Sequence, residues 1–94
     1  MPSSYRFTAS GRVQGVGFRE SARRKAEQLG ISGWIANRAD GAVEGVAHGD
    51  DAALGRFQTW LGDGPPMARV LTLDWQRSEE IPPPGFEVRR SRTS

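Results

Sequence analysis

Polar and apolar positions alternate along the start of the chain. Tyr5, Phe7, Ala9 and Val13 share one phase and Arg6, Thr8, Ser10 and Arg12 the other, which predicts a strand over 5–13. The period then changes. Phe18, Ala22, Ala26 and Leu29 recur at spacings of four, four and three, an apolar stripe on a helix over 18–29 that Gly30 ends. Ile31 to Asn37 reads as a second strand, Asp40-Gly41 as a tight turn, and Ala42 to His48 as the returning third strand. Asp50 and Asp51 are placed to cap a second helix whose stripe is Leu54, Phe57 and Leu61, with Ala53 and Trp60 on its flank. Gly62-Asp63-Gly64-Pro65-Pro66 stops that helix. Arg69 to Gln76 is the fourth strand, Ser78 to Gly85 a proline-rich loop, Phe86 to Arg89 a short last strand, and Ser91 to Ser94 a frayed tail.

The order β-α-β-β-α-β predicts an α+β fold of the ferredoxin-like kind: an antiparallel sheet with two helices on one face, plus a short C-terminal strand. Right-handed crossovers put the first and third strands in the centre, with the first two strands parallel and the third between them. The pattern does not place the last strand. Ninety-four residues make one domain spanning 1–94, with its core over about 5–90.

Between the first strand and the first helix lies Gly11-Arg12-Val13-Gln14-Gly15-Val16-Gly17-Phe18-Arg19. Glycines allow a tight bend and a close backbone approach to a ligand. The first N–H groups of a helix lack intrahelical partners and carry partial positive charge, so anions settle there. No Ser, Thr, Asp or Asn stands immediately before this helix to occupy them. An arginine in the first turn opposes the helix dipole unless an anion is present, and its planar fork holds two phosphate oxygens at once. The segment reads as a phosphate cradle built from the main-chain N–H groups of Gly15, Val16, Gly17, Phe18 and Arg19, with the Arg19 guanidinium beside them.

Composition narrows the classes. The chain has no cysteine, which excludes disulfides, thiolate metal sites and cysteine nucleophiles. The acidic residues show no spacing suited to a metal, and Asp40, Asp50 and Asp51 have turn and capping roles. No apolar run reaches the roughly 20 residues of a membrane helix, and the N-terminus lacks a signal-peptide block, so a cytoplasmic protein is expected. The net charge is only +2; 12 of the 13 basic residues are arginines, spread along the chain with acids between them. A nucleic-acid binder usually shows a denser basic face. His48, the single histidine, reads as a strand-end residue, and Trp34, Trp60 and Trp75 as packing residues.

Residues 11–19 resemble throughout the signature G-x-V-Q-G-V-x-F-R of the acylphosphatase family. A second family signature has its counterpart in Gly33-Trp34-Ile35-Ala36-Asn37, followed by Gly41, Val43 and Gly49 at the family's spacing. Ile35 is the one departure, a conservative apolar change. Gly64-Pro65-Pro66 and Phe86-Glu87-Val88 are further landmarks, and the likeness spans roughly 5 to 90. Two motifs at the proper separation are far more specific than a lone glycine pattern. The resemblance implies metal-independent hydrolysis of the carboxyl–phosphate bond of acyl phosphates, without a cofactor. It implies a catalytic pair at the arginine closing the first motif and the asparagine of the second, here Arg19 and Asn37. The expected partner is a small acyl-phosphate substrate, with no nucleic acid and no membrane, and a monomer is the simplest state. The competing reading is a non-catalytic ferredoxin-like phosphate- or RNA-binding module. It is weakened because RNA-recognition sheets display aromatics on the central strands, whereas Tyr5 and Phe7 take the core phase and the third strand has none.

Overall fold

The structure is a computed structural model and describes residues 2–92. Seven elements follow one another: β1 (Ser3–Arg12), α1 (Phe18–Leu29), β2 (Ser32–Arg38), β3 (Val43–Gly49), α2 (Asp51–Asp63), β4 (Arg69–Ser78) and β5 (Phe86–Arg92). The sheet order is β4-β1-β3-β2-β5. Both β1 and β2 pair antiparallel with β3, so they run parallel to each other with β3 between them, as the crossover rule requires.

The last strand differs from expectation in two ways. It pairs with β2 in parallel, which makes the five-stranded sheet mixed rather than antiparallel. It also runs on to Arg92, because Arg38 of β2 pairs with Arg92 and carries the ladder past Arg89. Ser91 and Arg92, expected in a tail, therefore belong to the sheet, while Thr93 and Ser94 lie outside the described residues.

One apolar core fills the space between the sheet and the two helices. Phe7, Ala9 and Val13 come from β1 and the residue that follows it, Ile35 from β2, Val43 and Ala47 from β3, and Phe86 from β5. Phe18, Ala22 and Ala26 of α1 and Leu54, Phe57 and Leu61 of α2 close it from above. Phe57 meets Phe7 and Phe86 edge-on, with centroids 6.0 and 5.8 Å apart. A buried phenylalanine of this kind contributes about 1.5–3 kcal/mol through burial. Trp60 flanks Phe18 and Phe57, and Trp75 stacks on Tyr5 at 4.9 Å, so both tryptophans pack as expected. Trp34 packs on the opposite face of the sheet with Ala36 and Val46, and its indole N–H donates to Glu80 of the proline-rich loop at 3.0 Å.

Candidate active site

Helix α1 begins where β1 can no longer continue. Gly15 and Gly17 both have φ of +75°, a left-handed backbone that glycine adopts without strain. A Cβ at either position would meet nothing within 4 Å, so it is the left-handed conformation that favours glycine there and not the neighbouring space. Gly17 is the N-cap and no side chain caps the helix. The first helical bond runs from the Ser21 N–H to the Gly17 carbonyl at 3.0 Å, so the N–H groups of Gly17, Phe18, Arg19 and Glu20 precede the ladder.

The residues that carry these groups line a cavity of about 200 Å³, together with others that include Gly15 and Asn37. Residues 18 positions apart in sequence are brought together because α1 returns the chain to β2, parallel to β1. Val16 turns its side chain toward the core instead and is not among the lining residues.

Three details fix the geometry. Gln14 Nε2 donates to the carbonyls of Arg38 and Ala42 at 2.8 and 2.9 Å, tying the bend to the β2–β3 turn beside Asn37. Arg19 Nη1 donates to the carbonyl of Arg89 on β5 at 2.6 Å, leaving the rest of its fork for other acceptors. Asn37 Oδ1 is buried and lacks a hydrogen-bond partner, the one such side-chain atom among the described residues. A buried acceptor left unpaired costs about 1–3 kcal/mol, so a donor arriving there is favoured.

Glu20 also lines the cavity, but its charge is engaged elsewhere. Arg23 Nε donates to Oε1 at 3.1 Å, Arg23 Nη2 donates to Oε2, and Arg24 lies 3.6 Å away. The Arg23 hydrogen bond holds the Glu20 carboxyl below its ordinary range. His48 stands one residue before the end of β3, where Nδ1 lies 2.7 Å from Ser4 Oγ, and it does not line the cavity. Among the described residues, no group of three His, Cys, Asp or Glu side chains is arranged to hold a metal ion.

Sequence reasoning gave no role to Gln14, although it stands inside the first motif. It also missed the Arg89 carbonyl, which no residue type announces.

The fold and this cavity define a ferredoxin-like α+β sandwich that gathers an arginine, an asparagine and unladdered main-chain amides at one helix start. The acylphosphatase family model matches residues 5–88. The acylphosphatase of Alkalilimnicola ehrlichii is 51% identical over 88 residues, covering 94% of this chain and 99% of that one. The structure of an acylphosphatase from Coxiella burnetii superposes with a TM-score of 0.90 at 41% identity, covering 94% of this chain and 93% of the other. That of the Bacillus subtilis acylphosphatase gives 0.86 at 35% identity, covering 94% and 98%. The chain belongs to the acylphosphatase family. It is an enzyme, and its reaction is the hydrolysis of acyl phosphates.

Proposed function

We propose that Arg19 and Asn37 are the catalytic pair, that the amides of Gly15, Val16, Gly17, Phe18 and Arg19 hold the phosphoryl group, and that the reaction needs no metal. The placement of Asn37 in the lining of the same cavity as Arg19 carries this reading.

The chemistry asks little of an acid or base. The leaving group is a carboxylate whose conjugate acid has a pKa of about 4, so it departs without protonation. Phosphoryl transfer spreads charge over the equatorial oxygens, and catalysis is mostly positioning plus electrostatics. Fixed N–H dipoles and the free edge of the Arg19 fork match that charge without reorganising. A water held by the Asn37 side-chain amide has a lone pair left to aim at phosphorus, opposite the carboxylate. Orientation of this kind can remove several kcal/mol from a barrier. The P–O bond to water forms as the P–O bond to the carboxylate breaks. The water's proton passes to a phosphoryl oxygen, because an asparagine amide cannot accept it.

The test is phosphate release from a small aromatic acyl phosphate in the presence of a chelator. Arg19→Ala should lower kcat/KM by about 10³-fold or more and abolish inhibition by inorganic phosphate. Arg19→Lys should fail similarly, because a point charge does not reproduce the fork. Asn37→Ala should keep phosphate inhibition while kcat falls by about 10²- to 10³-fold. A folded wild-type protein that loses activity with the chelator overturns metal independence. A pH–rate profile with one essential enzyme base near neutrality overturns the proton route.

The same proposal includes one domain working as a monomer in the cytoplasm, tested by sedimentation and cell fractionation. The single core shared by both helices and the sheet supports the domain reading. No helix among the described residues is long and apolar enough to cross a membrane.

A further inference from the structure

Strand β5 bonds to Arg19 and departs from regular pairing at Asn37. The Arg89 carbonyl accepts the 2.6 Å bond from Arg19. The β2–β5 register also shifts at Asn37: Ala36 pairs with Arg89, but Arg38 pairs with Arg92. One residue of β2 therefore faces two of β5, Arg90 and Ser91, which is a bulge opposite Asn37. Bulges bend a strand locally and re-aim a side chain.

Something must hold an edge strand at that register. Arg89 pairs with Ala36, whose side chain belongs to the cluster on the face away from the helices. There the Arg89 guanidinium lies 4.5 Å from the centroid of the Trp34 ring, within cation–π range, and its Nε donates to Glu87 Oε1 at 2.9 Å. Trp34 is itself fixed, only 3% exposed and bonded to Glu80. Val88, the preceding residue, points the other way and lines the cavity.

We propose that Arg89 is a positioning residue for the reaction: its side chain clamps β5 onto Trp34 on the far face, and its main-chain carbonyl thereby sets the orientation of the Arg19 guanidinium. The sheet transmits the constraint from one face to the other within a single residue. This rests on the catalytic role proposed for Arg19. Small displacements of a charge-stabilising group are costly, since a misplacement of about 1 Å can lower a rate 10²-fold.

The experiment compares wild type, Arg89→Ala, Arg89→Lys and Arg19→Ala, with kcat and KM measured on the folded fraction at a temperature well below each melting point. Nitrogen-15 NMR follows rotation of the Arg19 guanidinium about Nε–Cζ. Arg89→Ala should lower kcat roughly 10-fold or more, with KM changed less, and should free that rotation. Arg89→Lys keeps a cation over the indole but loses the planar contact, so it should recover part of the rate. Arg89→Ala with wild-type kcat, or with restricted Arg19 rotation despite a slower rate, overturns the proposal. If Arg89→Ala does not fold, Arg89→Lys decides alone: wild-type kcat and unchanged Arg19 rotation overturn the clamp. Should Arg19→Ala retain activity, the catalytic reading itself fails, a result distinct from an inert Arg89.

Discussion

Helices α1 and α2 span 12 and 13 residues and lie on the same face of the sheet, yet their N-termini are furnished in opposite ways. Neither receives a hydrogen bond from a capping side chain. At α2 the N-cap is Asp50 in an extended conformation, Asp51 follows it, and the Ser3 hydroxyl donates to Asp51 Oδ1 at 3.0 Å. Two carboxylates thus stand at the positive end of that helix, each worth about 0.3–1 kcal/mol. At α1 the N-cap is a left-handed glycine, an arginine occupies the first turn, and the nearby acid is engaged by Arg23 and Arg24. The protein neutralises one dipole with its own side chains and leaves the other to a visiting anion. Stability and function have been assigned to different helix starts.

Exchanging the two arrangements is the most severe way to break this contrast. Gly17→Asp gives α1 the carboxylate that α2 already has. Aspartate tolerates the left-handed backbone better than most residues, so the helix should survive while the charge repels the phosphoryl group. Turnover should fall at least about 100-fold, with inhibition by phosphate lost. Gly17→Asn supplies the same shape without the charge and should retain at least tenfold more activity than Gly17→Asp. Equal activity in the two variants would mean that backbone strain, rather than charge, accounts for the loss.

The reverse change at α2 should do much less. Asp51→Asn removes a favourable charge from the helix start but leaves an oxygen for Ser3. Denaturant unfolding should show a loss of about 0.3–1 kcal/mol, with kcat and KM unchanged. A large effect on turnover would show that α2 is not separate from the site.

How much of this contrast the sequence discloses depends on the kind of bond that makes it. Period and glycine placement located α1 at Phe18–Leu29 and the bare start at Gly17, because those signals are local. Strands β1 to β3 came within one or two residues at each end. Asp50 precedes α2 as the pattern predicts, but the expected capping bond is absent, and Asp51 instead receives the hydroxyl of Ser3, 48 residues away. The C-terminal strand was the least legible. Its length and parallel pairing are set by β2, and nothing local in a run such as Glu87-Val88-Arg89-Arg90 states which neighbour it joins. Within the site, Arg19 and Asn37 stand in motifs that announce them, whereas the Arg89 carbonyl that holds Arg19 is main chain and has no sequence signature. The unpaired state of Asn37 Oδ1 was equally hidden, since it depends on what the fold keeps away from it.

The smallest effect concerns Glu20, the acid that α1 does carry. Hydrogen bonding to Arg23 lowers its pKa in the folded protein, so the folded state binds that proton less readily than the unfolded chain does. Its contribution to stability is therefore fully present above the ordinary carboxylate pKa of about 4, and disappears as the pH falls through the lower folded value. Glu20→Gln should be slightly less stable than wild type at pH 7, and the difference should shrink toward zero as unfolding is repeated in progressively more acidic buffer. The side chain is half-exposed, so added salt should reduce the difference as well. A gap that stays constant from neutral to acidic pH would mean that Glu20 acts through packing or helix propensity. The contrast between the helix starts would then rest on Gly17 and Arg19 without help from the acid between the arginines.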